Sequence, residues 1–157
     1  LEVIHTSTRR DLHLIIIARF DDYNKLLVKS FCRRLGFSDK VHLLGTVPHH
    51  ELPYFYSACI AFISLSYLET FCIPVIEAMA CGTPVIVSNK TSLPEVVNNY
   101  GIIVDPTDIT EIKDAILECM SISRPFSKSL QRAGKFKCSK ICKRLYKVFK
   151  EALEGVD

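Results

Sequence analysis

The sequence predicts an α/β fold built on a doubly wound parallel sheet. Two features of the 157 residues support this prediction. Short apolar runs alternate with stretches of helical spacing, which is typical of βαβ units with right-handed crossovers. The runs are apolar throughout, as in HLIIIA at 13–18, and this indicates strands that helices cover on both faces. In such sheets ligands bind beyond the carboxyl ends of the strands.

The first half of the chain is predicted to form two βα units and a third strand. Apolar residues at helical spacing precede Gly36, which suits a helix C-terminus because glycine readily adopts the left-handed conformation required there. The predicted elements are a strand at 13–18, a helix at 23–36, a strand at 41–44, a helix at 49–57 and a strand at 59–65.

The second half continues the alternation and then becomes helical. Gly82 is predicted to stop one helix, and Asp108 to cap another through its side chain. The elements are a helix at 74–81, a strand at 84–87, a short helix at 94–98, a strand at 101–104, a helix at 108–120, and helices over 125–154 with a break near Gly134.

Composition narrows the functional classes. A net charge of +3 is too small to indicate nucleic acid as a partner. Of the five histidines, His42, His49 and His50 lie closest together, and they lack the spacing of a metal site. No apolar stretch approaches the roughly 20 residues that span a bilayer. The seven cysteines are scattered without a CxxC pair, which favours a reducing compartment over a zinc or disulfide framework. We therefore expect a single cytoplasmic domain over residues 1–157.

The stretch ETFCIPVIEAMACGTP at 69–84 is the strongest candidate for a site. Pro74 suits the first position of a helix, which places Glu77 in the first turn and Glu69 in the preceding loop. The N–H groups around 70–75 would be free and would favour an anion, phosphate above all. A carboxylate beyond the phosphates has a natural partner in a vicinal diol. The residues alone therefore suit a nucleotide that carries a diphosphate.

Three other interpretations of this stretch remain open from the residues alone. Glu77 could simply complement the helix dipole while Glu69 is a solvated loop residue. The two acids could be an acid–base pair that cleaves glycosidic bonds, although nothing fixes the required separation. The Cys72 thiol at a helix N-terminus could be a nucleophile, but no base is near in sequence.

Four ordered motifs resemble the donor-binding half of family 4 glycosyltransferases, which are retaining enzymes of the two-domain GT-B fold. The resemblance extends from about residue 12 to residue 152, and it implies a Rossmann-like domain without the N-terminal acceptor-binding domain. The matching segments are VHLLGTVPHHELPYFYSAC at 41–59, the two glutamates with AMACGTPVI at 69–86, SLPEVV at 92–97 and GIIVDPTD at 101–108, followed by a tail like the family's closing helix at 135–153.

This resemblance implies a role for each matching residue. Glu69 would be the catalytic residue that holds the donor-sugar hydroxyls, and Glu77 would bind the ribose diol. The donor would be a nucleotide sugar such as a UDP- or GDP-hexose, bound without a metal or other cofactor. The remaining positions are Thr70, Phe71, Cys72 and Ile73 at the sugar and diphosphate, Leu65 and Ser66 as the near wall, and Gly45, Thr46, Val47 and Pro48 at the base.

The sequence departs from the family pattern in two ways. The family usually has glycine at the positions of Thr70 and Cys72, so we expect both to keep a negative φ and to narrow the approach to phosphate. In the family, an Arg and a Lys that neutralise the diphosphate come from a segment before the strand that is predicted here at 13–18. Only a dozen residues precede that strand in this sequence. Nothing places Arg9, Arg10, Arg19 or Lys25 at those positions, and we expect them to be solvated. We expect the chain alone to bind the donor weakly and to catalyse negligible sugar transfer.

The resemblance implies a retaining hexosyltransferase that acts on a glycan, lipid-linked or small-molecule acceptor. The first alternative is a non-catalytic or split nucleotide-sugar-binding module that needs a partner subunit. A sugar-nucleotide epimerase of the same shape is a third, which the intact pair of glutamates disfavours. The segment 124–150 carries ten Lys or Arg and no acid. We expect an apolar stripe packed on the core with a solvated basic face, or contact with anionic lipid.

Overall fold

The computed structural model describes residues 12–123 and 125–154. The chain divides into two compact units, one ending at Leu52 and the other beginning at Pro53. Every strand pairing in the described residues is parallel, so the predicted parallel α/β architecture is confirmed. The predicted N-terminal candidates Arg9 and Arg10 lie outside the described residues.

The first unit pairs two parallel strands. Strand β1 (Leu14–Ile17) lies beside β2 (Val41–Leu44), with Ile15 opposite His42. Helix α1 (Asp22–Arg34) connects them. The Asp21 side chain accepts a hydrogen bond from the Asn24 backbone N–H at 2.7 Å, which satisfies one of the unpaired donors at the helix start. Gly36 follows the helix with φ +75°, as predicted. A 3₁₀ turn at His49–Glu51 closes this unit.

The second unit holds three parallel strands in the order β3-β4-β5, namely Phe62–Ser64, Val85–Ser88 and Ile102–Val104. Of the strand predicted at 59–65, only Phe62–Ser64 forms a strand in the structure. The helices are α2 (Leu52–Ala58), α3 (Ile73–Ala80), α4 (Leu93–Val97), α5 (Ile109–Ser121), α6 (Ser127–Ala133) and α7 (Cys138–Glu154). Short 3₁₀ turns lie at Asn98–Tyr100 and Gly134–Phe136, the latter where the helical tail was predicted to break.

The core of the second unit is centred on β4. All four residues of this strand are buried, because β3 and β5 flank it and helices pack against it. Ile86 contacts Ala115 and Cys119 of α5 within one apolar cluster. Burial raises the pKa of the Cys119 thiol to about 12, so this cysteine stays a protonated, packed side chain. All seven cysteines are free, as the sequence predicted.

The segment after α5 is fastened to the turn between α3 and β4. The Phe126 N–H donates to the Gly82 carbonyl at 2.8 Å, and the buried Ser129 hydroxyl donates to the Thr83 carbonyl at 3.0 Å. A Cβ on Gly82 would lie 2.7 Å from Pro125 Cβ, and Gly82 has φ +72°. Glycine is therefore required at this turn both for its conformation and for the close approach of the later segment.

Helix α7 differs from the packing that its sequence predicts. No residue of Cys138–Glu154 is buried, so the expectation that its apolar stripe packs on the core is wrong for the described structure. Among the residues described, no helix combines the length and apolarity needed to cross a membrane.

Candidate functional site

The carboxyl ends of the three strands of the second unit lie at one edge, because the strands are parallel. The segment that follows β3 contains Glu69 and leads into α3. Asn89–Ser92 follows β4, and Asp105–Asp108 follows β5. This is the edge at which ligands bind in sheets of this class.

The loop after β3 is fixed to the loop after β4 at Glu69. The Glu69 N–H donates to Thr91 Oγ1 at 3.1 Å, and the Ser92 hydroxyl donates to the Glu69 carbonyl at 2.9 Å. Thr91 adopts φ +49° to make this contact. The Glu69 carboxylate itself makes no hydrogen bond or ion pair within residues 12–123 and 125–154. A fixed backbone therefore presents a half-buried carboxylate at the ligand edge.

The start of α3 presents a run of unpaired backbone donors. Within the described chain, the N–H groups of Thr70, Phe71, Cys72 and Ile73 donate no hydrogen bond. Pro74 has no N–H, and the Val75 N–H donates to the Cys72 carbonyl at 3.0 Å. The predicted run of free donors up to Val75 thus ends at Ile73. Four consecutive free N–H groups at a helix start form a site that favours an anion.

Cys72 precedes the helix in the left-handed conformation, with φ +60° and ψ +72°. The expectation that φ stays negative here is therefore wrong, whereas Thr70 is not among the residues with positive φ. A Cβ in this conformation lies close to the carbonyl oxygen that follows it, at a cost of about 1–2 kcal/mol. The Cys72 Sγ lies 3.7 Å from the Ser64 hydroxyl at the end of β3. The side chain thus contacts β3 while the backbone turns into the helix.

We expect Cys72→Gly to be more stable than Cys72→Ala by about 1 kcal/mol, because only glycine adopts this conformation without a Cβ conflict. Both variants remove the thiol, so their difference isolates the backbone term. Urea unfolding followed by circular dichroism measures it. Equal stabilities of the two variants would mean that the turn does not carry this strain.

The Phe71 side chain packs against the 3₁₀ turn at Gly134–Phe136. Its ring packs edge to face against Phe136, with the centroids 5.4 Å apart. The Arg132 guanidinium lies 4.8 Å from the Phe136 centroid and donates to the carbonyls of Val96 at 2.7 Å and Glu95 at 2.6 Å. One arginine therefore links the helix after β4 to the aromatic pair at the loop after β3.

Glu77 is the fifth residue of α3, one residue beyond the first-turn position that the sequence suggested. At this depth the helix-dipole interpretation loses its basis, because the effect falls off within the first turn. The Tyr56 hydroxyl donates to Glu77 Oε2 at 3.1 Å. Tyr56 is only 8% exposed, and burial together with the Glu77 charge raises the pKa of its hydroxyl above the ordinary value. Tyr56 is thus a permanent donor that orients the Glu77 carboxylate.

The role of Tyr56 was missed at the sequence level. The signal was a tyrosine on the helix before β3, since a buried tyrosine hydroxyl normally requires a partner. The structure adds two supports. Thr83 Oγ1 donates to the Tyr56 carbonyl at 2.5 Å, and the Tyr56 ring packs edge to face on Phe62 with centroids 5.7 Å apart. The orienting hydroxyl is therefore itself rigidly placed.

Lys90, a cation at the end of β4, is held by an acid at the end of β5. Lys90 Nζ lies 3.2 Å from Asp105 Oδ2. Hydrogen bonds from the Thr107 hydroxyl and N–H, and then from Lys90 and Asn89, lower the pKa of the Asp105 carboxyl well below its usual range. Asp105 is therefore ionised at neutral pH and keeps Lys90 paired.

The other predicted site residues are placed as follows. Ser66 Oγ donates to the Leu68 carbonyl at 3.1 Å within the loop after β3. Gly45, Val47 and Pro48 follow β2 and belong to the first unit, as do Arg19 and Lys25; the base-binding role stays a prediction. The described residues hold no group of three or more His, Cys, Asp or Glu side chains able to bind a metal ion. Metal independence also remains a prediction.

The fold and the position of the site define the class of protein. Sucrose-phosphate synthase from Thermosynechococcus elongatus superposes with a TM-score of 0.82 at 22% identity, over 98% of this chain and 41% of that one. Anabaena Alr3699/HepE, solved in complex with UDP-glucose, superposes with a TM-score of 0.79 at 20% identity, over 96% of this chain and 44% of that one. The fold is that of one half of a GT-B glycosyltransferase.

The family follows from the sequence comparisons. The chain belongs to the glycosyl transferases group 1 family, whose profile matches residues 1–137. It is 46% identical to O-antigen chain mannosyltransferase B of Escherichia coli over 80 residues, which are 51% of this chain and 21% of that relative. The chain spans less than a third of the length of the curated relatives that it matches.

Proposed function

We propose that this chain binds a nucleoside-diphosphate hexose, such as a UDP- or GDP-sugar, as the donor half of a retaining family 4 hexosyltransferase. The observation that carries the proposal is the arrangement at the start of α3. Four free N–H groups end a loop that presents the Glu69 carboxylate, and Tyr56 orients the Glu77 carboxylate one turn beyond. Donors for a diphosphate and acceptors for hydroxyl groups thus occur in one segment.

The proposed chemistry follows from these groups. The anomeric carbon–oxygen bond breaks, and negative charge develops on the departing diphosphate, where the N–H groups of Phe71, Cys72 and Ile73 stabilise it. Glu69 holds the sugar hydroxyls while the acceptor oxygen bonds to the anomeric carbon on the same face and passes its proton to the departing diphosphate oxygen. Glu77 accepts hydrogen bonds from the ribose diol. No metal is required in this scheme, because backbone donors meet the leaving group.

Turnover is proposed to need a separate N-terminal acceptor-binding domain or subunit, with the reaction on the cytosolic side. The resemblance assigns the cationic clamp of the diphosphate to segments outside the second unit. Lys90 does not replace it, since Asp105 pairs with this lysine. The second candidate is a non-catalytic nucleotide-sugar-binding module that assembles with a partner subunit.

Calorimetric titration with a panel of uridine, guanosine and adenosine diphosphate sugars tests the proposal. We expect weak but saturable binding of at least one of them, with the matching nucleoside as the control that lacks both diphosphate and sugar. Binding should persist in EDTA. Failure of every diphosphate sugar to bind at millimolar concentration would refute donor binding by this chain.

Co-expression with an N-terminal acceptor-binding domain that carries the Arg and Lys implied by the resemblance separates the two candidates. Sugar transfer that appears only in the co-expressed pair supports the enzyme. Donor binding without transfer in the assembled pair supports the binding module.

A further inference from the structure

The first unit contains a pocket lined by helix α1, strand β2 and the turn that joins them. Its volume is about 310 Å³, at the lower end of the range for small-molecule sites. Its lining residues are Lys25, Val28, Lys29, Cys32, Arg33, Ser38, Val41 and Leu43. All of them belong to the unit that ends at Leu52. Three of these eight residues are cations and none is an acid, so the pocket favours an anion.

The pocket combines an apolar floor with a row of positive charge. Cys32 is only 7% exposed, and Val28, Val41 and Leu43 are half-buried. The three cations are exposed and recur every fourth residue along α1. They therefore share one face of the helix and span about 12 Å at 1.5 Å per residue. A ligand in the pocket would meet apolar side chains at its base and cationic groups along this row.

The row of cations is unfavourable for the helix itself. Lys25 with Lys29, and Lys29 with Arg33, are like-charge pairs at i,i+4, which destabilise a helix. Lys25 also lies in the first turn, where the helix dipole disfavours a cation. Within the part of the chain that the structure describes, none of the three side chains has an ion-pair or hydrogen-bond partner. An anion from outside the chain would offset this repulsion.

Ser38 adds an uncharged donor to the pocket. Its hydroxyl has no hydrogen-bond partner among the residues that the structure describes. Arg33 offers paired N–H groups that match the oxygens of a phosphate, and a lysine ammonium binds phosphate as a point charge. The apolar floor favours a ligand that also carries carbon. Cations, a hydroxyl and an apolar floor in one concavity suit an organic phosphate.

We propose that this pocket binds a small soluble molecule with two phosphate charges, held along Lys25, Lys29 and Arg33, while its carbon skeleton lies on the apolar floor. The row is longer than a single phosphate, so full use of it requires a second. A nucleic acid or a bilayer would need a broad basic surface, whereas this site is a small concavity. The proposal does not depend on donor binding, because the donor-site residues at 69–77 belong to the second unit.

An NMR titration of the isotope-labelled chain, resolved by backbone amide, tests the proposal. The three probes are inorganic phosphate, inorganic pyrophosphate and phenyl phosphate, and we expect saturable shifts at Lys29, Arg33 and Ser38. Pyrophosphate should bind more tightly than phosphate because it reaches more than one cation, and phenyl phosphate more tightly because its ring covers the floor. Added salt should weaken binding of each probe. Shifts at 70–73 report any binding at the start of α3 separately.

Charge removal identifies the cations that bind the probe. Arg33→Gln should weaken pyrophosphate binding by about tenfold, the equivalent of one charge-assisted hydrogen bond. The matched control is Arg34→Gln, which removes the same charge from the next residue of α1. Arg34 does not line the pocket and lies 5.1 Å from the centroid of the Phe31 ring, so the affinity should be nearly unchanged. Lys29→Gln should weaken binding without lowering the temperature of unfolding, because it removes two like-charge repulsions.

Several outcomes would overturn the proposal. These are no saturable binding of any of the three probes at millimolar concentration, or shifts confined to 70–73. Equal losses in Arg33→Gln and Arg34→Gln would show general attraction to a basic helix. Binding of anionic vesicles that pyrophosphate does not displace would show a lipid contact in place of a soluble ligand. Failure of the diphosphate sugars to bind at 69–77 would instead refute the proposed function and leave this pocket unaffected.

Discussion

Glu77→Ala is expected to abolish measurable binding of the nucleoside-diphosphate sugar. In the proposed site the Glu77 carboxylate accepts two ribose hydroxyls, and Tyr56 holds it in place from 3.1 Å. Hydrogen bonds to a charged group contribute about 1.5–3 kcal/mol each, so the loss of two corresponds to more than a hundredfold in affinity. Because the wild-type chain should bind weakly, calorimetry would then detect no binding.

Three companion variants make this result specific to the ribose contact. Glu95→Ala removes an exposed carboxylate of α4 and should leave affinity unchanged. Tyr56→Phe should weaken binding by about tenfold, the worth of one oriented hydrogen bond. Glu77→Gln is expected to retain weak binding. Adding Tyr56→Phe to this variant should lower the donor affinity little further, because both changes act on one interaction.

Unchanged donor affinity in a folded Glu77→Ala chain would contradict the ribose role. If the 2′-deoxyribose donor loses affinity in the wild type but not in Glu77→Gln, which retains weak binding, the diol is identified directly as the partner of Glu77. Thermal unfolding should accompany each titration, because loss of the Tyr56 partner also leaves a buried hydroxyl unpaired.

Gly82→Ala is expected to destabilise the chain by about 3 kcal/mol. The left-handed conformation at φ +72° accounts for roughly 1–2 kcal/mol of this loss. The added Cβ would also lie 2.7 Å from Pro125 Cβ, which forces apart the hydrogen bond between Phe126 and Gly82. Overpacking of this kind costs about 1–3 kcal/mol. Chemical unfolding in urea measures the change.

Gly36→Ala is the matched control for this prediction. Gly36 also follows a helix with a positive φ, +75°, but nothing lies within 4 Å of the position its Cβ would take. It should therefore cost only the conformational part, about 1–2 kcal/mol. Equal losses at the two glycines would mean that the segment beginning at Pro125 does not press on the turn at Gly82.

The sequence determined the α/β class, the order of the elements and the segment that forms the candidate site. The alternation of apolar runs with helical spacing is a local property, so it predicted β1 to β5 with small errors at their ends. Gly36, Gly82 and Asp108 were predicted correctly as helix terminators and cap, because their action depends on neighbours in sequence. The motifs likewise placed the chain in a glycosyltransferase family, which the comparisons confirm.

Contacts between distant residues were decided only by the tertiary structure. The Tyr56 hydroxyl reaches Glu77 across 21 positions, and Lys90 is held by Asp105 from the next strand. The positive φ of Cys72 results from the turn that joins β3 to α3. The apolar stripe of α7 has the same pattern whether it is packed or exposed. Periodicity records which face is apolar, whereas only the packing of other elements decides what covers it.

For Glu69 and Glu77 this distinction is decisive. Their spacing was visible in the sequence, but Glu69 is presented by the loop after β4 through Thr91 and Ser92. Glu77 is oriented by a tyrosine from the helix before β3. Spacing fixes how far apart two residues lie along the chain. The direction of each carboxylate depends on hydrogen bonds made by segments that only folding brings together.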